Sequence, residues 1–175
     1  GACRQALKPI KKYLDRANEL KAKDPIVAYY CRLFALQEAL ALRSAGKTTS
    51  ADMGFIMGLM DEAEAEKKTL GAQLDDSSDA MHVENFGQEL FQKADDQDRA
   101  GQSTLQVAKV YNAAYVVMET CKQFGELPSD LAEKIKYAKA RAVEIGLAIK
   151  QNRPPAPPPR TEDEGGGGGG GGGGG

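Results

Sequence analysis

Apolar side chains recur every three or four residues through most of this sequence, the period of a helix that buries one face. Leu7, Ile10, Tyr13, Leu14, Ala17 and Leu20 form the first such stripe and predict a helix over about residues 3–21. Its outer face is basic: Lys8, Lys11, Lys12, Arg16 and Lys21. Pro9 is tolerable only in a first turn, so the regular helix should begin near Lys8. Asp24-Pro25 reads as an N-cap with proline at the first helical position, opening a second helix that reaches about Arg43. Between Ile26 and Leu42 its only charges are Arg32 and Glu38. A helix apolar on nearly every side must be covered on most sides, so this one should be the centre of a bundle. A Gly/Thr/Ser loop follows, and a third helix runs from about Asp52 to the helix stop at Leu70-Gly71. It carries two stripes. Ile56, Leu59, Ala63 and Leu70 share one line, and Met53, Met57, Met60 and Glu64 share another roughly 100° away. One stripe is enough to pack a helix, and the second is more apolar than a solvated face requires.

The second half repeats the sequence amphipathic, apolar, amphipathic. A fourth helix is expected over about residues 79–100, with Met81, Phe86, Leu90, Phe91 and Ala94 inward and a stop at Gly101. A fifth, capped by Ser103 and reaching Phe124-Gly125, has only Lys109, Glu119 and Lys122 as charges and should again be central. A sixth starts at Leu127-Pro128-Ser129-Asp130 and buries Leu131, Ile135, Ala138, Ala142, Ile145 and Ile149. The expected fold is all-α: two tandem three-helix bundles over residues 1–72 and 79–153, joined by an acidic connector over 73–78, with a possible short connecting helix. Residues 154–175, a proline run and then polyglycine, read as a flexible tail. Tyr111-Asn112-Ala113-Ala114-Tyr115 has the flavour of a tetratricopeptide repeat, but no repeat near ~34 residues carries the required Gly and Pro positions.

Chemistry narrows the function classes. The formal charge of −2 gives no basic field for nucleic acid. No apolar run approaches the ~18 residues of a membrane span, and the opening residues lack the apolar stretch of a signal peptide. Cys3, Cys31 and Cys121 are odd in number and far apart, and the last two sit in apolar helical patterns, which suggests buried free thiols in a reducing compartment. His82 is the only histidine, and no His/Cys/carboxylate set has metal-ligand spacing. Asp95, Asp96 and Asp98 lack the Gly and closing Glu of a calcium loop and read as a solvated helix end beside Arg99. No nucleophile elbow or phosphate-cradling glycine loop is present, so neither an enzyme nor a cofactor nor a bound metal is expected.

Asp24–Ala35 (DPIVAYYCRLFA) and residues 93–101 (KADDQDRAG) resemble the Vta-type endosomal regulators, the LYST-interacting protein group that partners the Vps-four AAA ATPase. Residues 81–86 (MHVENF), 123–127 (QFGEL) and Lys136-Tyr137-Ala138 fit in the same order, over about residues 7–150. The resemblance implies a pair of MIT domains, three-helix bundles that bind C-terminal tails of ESCRT-III subunits. It implies an adaptor in multivesicular body sorting, cytoplasmic and recruited to endosomal membranes, touching membrane only indirectly. It also implies ATPase contact through a C-terminal helical segment that has no counterpart in these 175 residues.

A partner helix with leucine anchors would lie in an inter-helix groove. The expected groove lies between the second and third helices. Met53, Met57 and Met60 form one wall, and Ala35, Ala39 and Leu42 form the other. Asp61 and Glu64 would meet a basic residue of the ligand. Methionine suits such a wall because its flexible thioether adapts to different anchors. The rival readings are a structural helical scaffold and a lipid-surface binder led by Lys8, Lys11, Lys12 and Arg16. Pairing of those bases with the acidic third helix would account for both charge runs.

Overall fold

A computed structural model describes residues 5–160; Cys3 and the part of the expected tail over residues 161–175 lie outside them. The chain enters through a 3-10 turn, Gln5–Ile10, which contains Pro9 and passes directly into α1 (Lys11–Leu20). The proline therefore sits in the tighter entry turn, and the regular helix starts just after it. Asp24 caps α2 (Pro25–Ser44): its carboxylate accepts from the Val27 amide at 3.1 Å. Such a cap stabilises a helix by about 1 kcal/mol. A Thr49–Asp52 capping box precedes α3 (Met53–Leu70), which stops at Gly71, where φ is +49°.

The acidic connector is shorter than expected. Asp75 accepts from the Ser77 amide and starts α4 (Asp76–Arg99) three residues early. Asp79 is therefore inside the helix, where its carboxylate is buried and accepts from Tyr30 Oη at 2.7 Å. Thr104, not Ser103, caps α5 (Leu105–Thr120); Ser103 Oγ instead donates to Asp98. After a 3-10 turn, Pro128 leads into α6 (Ser129–Lys150).

The architecture is all-helical, with α1 and α3 packed on α2, and α4 and α6 packed on α5. Both nearly uncharged helices are central, as their sequences require: α2 and α5 have buried side chains round most of their circumference. The two sets of helices also share side chains. Ala17, Val27, Tyr30 and Cys31 join the core of α4–α6, while Val116 of α5 is buried with Leu7, Phe34 and Ile56. Polar links cross the same boundary. Tyr13 Oη and Lys12 Nζ donate to Glu119 at 2.6 and 2.8 Å, and Gln123 donates to the Tyr30 carbonyl at 3.0 Å. Burial alone would raise the Glu119 carboxyl, but the hydrogen bonds from Lys12 and Tyr13 outweigh it and hold the group below its ordinary value.

Three packing expectations need correction. Met81 is exposed, and α4 instead buries Val83 and Gly87. Gly87 permits the close approach of α5: a Cβ there would meet Met118 Cγ at 2.7 Å. Ile149 is also exposed, because α6 turns Ala148 inward at its end. Residues 154–160 are laid back against the helices, as described below. Cys31 and Cys121 are free and buried, and burial pushes both thiols up to about 12.

Candidate functional site

Helix α3 packs on α2 through Ile56, Leu59, Ala63 and Leu70, which leaves both of its flanks open. The second stripe lies on one flank. Met57 and Met60 are 58% and 40% exposed, Asp61 and Glu64 are exposed, and Met53 is half-buried against the core. Five of the expected site residues therefore share one flank of one helix, within reach of solvent.

The opposite wall is different from the expected one. Ala35 and Ala39 have no exposed surface and belong to the core with Leu7, Ile10 and Ile56. They face α1 and α3 and cannot touch a partner. Leu42 is half-buried against the same core. At 100° per residue, Leu33 and Leu40 lie roughly 130° round α2 from the two alanines. Both are half-buried, and Gln37 between them is exposed. An all-round apolar helix gives no sign in its own sequence of which side its neighbours leave open, so the sequence does not distinguish these buried alanines from groove residues.

The other flank of α3 borders a second cleft, of about 570 Å³, between α1 and α3. Its floor is Ala28 and Arg32 of α2, and Glu62, Glu66 and Leu70 form one side. Arg32 is buried; it donates to Glu66 at 2.6 Å, to Glu62 at 2.9 Å and to Asn18 of α1 at 3.2 Å. Glu62 and Glu66 of α3 thus pair with α2 and not with the basic first helix. The bases of that helix pair elsewhere: Lys11 with Asp15, Arg16 with Glu19, and Lys12 with Glu119 of α5. Sequence reasoning missed this cleft, although Arg32, alone in an apolar stretch, was the signal for it.

A third groove, of about 700 Å³, is framed by α5, α6 and the end of α1. Leu105 and Val143 are exposed there. Tyr115 lies between the ammonium groups of Lys12 and Lys139, at 5.4 and 5.6 Å from its ring.

Of the acidic cluster of α4, Asp96 is exposed, but Asp95 and Asp98 are not a solvated helix end. Asp98 is 1% exposed and receives Arg141 in a bidentate pair at 2.6 and 2.7 Å, with further donation from Ser103 and Tyr111. Asp95 accepts from Arg99, Tyr137 and Tyr111. Burial alone would raise Asp98, but the donors, Arg141 first, hold it below the ordinary carboxylate value. His82 Nε2 lies 2.8 Å from Asp24, a link between α4 and the start of α2. Among the described residues no three His, Cys, Asp or Glu side chains are grouped to hold a metal, and no helix is long and apolar enough to cross a membrane.

The sequence matches a family described as Vta1 like over residues 9–151. The protein of Arabidopsis thaliana named homolog of mammalian LYST-interacting protein 5 is 43% identical over 143 residues, covering 82% of this chain and 33% of that protein. The vacuolar protein sorting-associated protein VTA1 homolog of Dictyostelium discoideum is 34% identical over 152 residues, covering 86% of this chain and 28% of the relative. The Homo sapiens protein of that name is 34% identical over 151 residues, covering 85% and 48%. The chain therefore spans less than half the length of each of these relatives.

Proposed function

The chain belongs to the Vta1-like family, and on that premise we propose that it is an adaptor in vacuolar and endosomal protein sorting, gripping C-terminal helical tails of ESCRT-III subunits. The observation that carries this reading is the exposed methionine flank of α3: Met57 and Met60 stand free beside a helix already packed by other residues. A tail helix with leucine anchors fits a groove between Met57 and Met60 on one side and Leu33 and Leu40 on the other. Asp61 and Glu64, exposed at the rim, attract a basic residue of the tail. The groove of α1, α5 and α6 is the surface this proposal draws on for a second tail. The same proposal includes linkage to the Vps-four-type AAA ATPase through a C-terminal helical segment, as the family resemblance implies. The lipid-surface rival loses support, because Lys12 and Arg16 are engaged within the fold.

The affinity follows from the anchors. Three buried apolar side chains supply roughly 5–8 kcal/mol at about 1.5–3 kcal/mol each. Ordering a disordered tail removes a few kcal/mol of that, and rim ion pairs add about 0–1 kcal/mol each. A micromolar dissociation constant is expected. The test is Met60→Asp, titrated with ESCRT-III tail peptides. Binding should be lost while circular dichroism stays native, and an unchanged affinity would remove the groove assignment.

A further inference from the structure

The segment after α6 takes no part in the function proposed above, and it lies just beyond the 9–151 family match. Residues 154–159 read PPAPPP. Each proline ring holds φ near −65°, so such a run favours the polyproline II helix, with three residues per turn. Burial follows that period: Pro155 and Pro158 are half-buried, and the residues between and beside them are exposed. Hydrogen bonding follows it as well. Arg141 of α6 donates to the Ala156 carbonyl at 2.8 Å, and Arg99 of α4 donates to the Pro159 carbonyl at 3.0 Å. Two arginines from two helices therefore take carbonyls one turn apart.

The register is also read. Ala156 is the only residue of the run with a backbone N–H, and it donates to Glu144 Oε1 at 3.1 Å. A slip by one position would set a proline nitrogen, which has no hydrogen, against that carboxylate. The helices themselves also hold the donors. Arg141 is fixed by Asp98, and Arg99 by Asp95 at 2.9 Å and Tyr137 at 3.2 Å. Preorganised donors of this kind reduce the ordering cost of binding.

We propose that the seam of α4 and α6 is a receptor site for polyproline II segments that carry a single N–H among prolines, filled in cis by residues 154–159. A proline-rich segment from another chain must displace this strap to bind.

The test uses the full chain with Cys3→Ser and a nitroxide on Arg160→Cys. Amides near Arg99 should be broadened in the NMR spectrum, and the broadening should disappear when Pro155→Gly and Pro158→Gly are added. That strap variant should then bind an added acetyl-PPAPPP-amide peptide, with shifts at the ends of α4 and α6. Arg99→Ala should weaken the peptide by roughly tenfold. Absence of broadening in the intact strap overturns the proposal. So does persistence after both proline replacements, or a strap variant of native helicity that the peptide leaves unshifted.

Discussion

The outer helices of the two halves are held in different ways. In the first half, α3 rests on α2, and its link towards α1 runs through one arginine of the central helix, Arg32. In the second half, α4 and α6 are joined directly: Asp98 to Arg141, Asp95 to Tyr137, and Gln88 to Lys134. The strap then covers that seam. A helix packed on one neighbour keeps two free flanks, and those flanks are where a partner helix can lie. A helix tied on two sides keeps fewer: α6 is joined to α4 on one flank and borders the groove of α5 and α1 on the other. The open face of the first half results from how few elements hold α3, and the closed α4–α6 seam of the second from paired charges placed at its centre.

The largest expected effect tests the tie. Arg141→Ala leaves Asp98 buried without its partner and should cost about 3–5 kcal/mol in urea unfolding. Arg32→Ala should cost less, about 1–2 kcal/mol, because Glu62 is exposed and can return to water. Equal losses would show that the two arginines play the same role and would break the comparison.

Glycine substitutions probe the same difference with one chemical change. Gly87→Ala should destabilise by about 1–3 kcal/mol, since the new methyl meets Met118 across the tight α4–α5 contact. Gly58→Ala on α3, with nothing within 4 Å, should stabilise by roughly 0.5–1 kcal/mol through backbone entropy alone. Thermal melts of the two variants should move in opposite directions.

The smallest effect expected is on acid stability. Asp98 and Glu119 both have carboxyls held below their ordinary values in the folded chain. Their contribution is therefore fully present above the unfolded carboxylate pKa of about 4 and is lost as pH falls through the lower folded values. Urea midpoints should fall as pH drops below about 4, and Asp98→Asn should flatten that slope. A slope unchanged by the substitution would assign the acid sensitivity elsewhere.

Much of the fold was legible in the chain. The Asp24-Pro25 cap, the stop at Gly71 and the central places of α2 and α5 all follow from local pattern, because caps, positive-φ glycines and uncharged helices act through neighbouring residues. The methionine flank was legible for the same reason, as a stripe that one helix does not need. Its opposite wall was not. Ala35 and Leu40 are both apolar, and only the positions of the neighbouring helices decide that the first is sealed and the second half-buried. The acidic run at Asp95–Asp98 looked solvated because Arg141, which neutralises it, is 43 residues away in sequence. The proline run looked like a free linker because the two arginines that hold it come from separate helices. The sequence by itself determined where helices begin, end and bury a face, since those depend on contacts within a few residues. Tertiary structure alone decided which faces remain open, because that depends on charges and backbones brought together from distant parts of the chain.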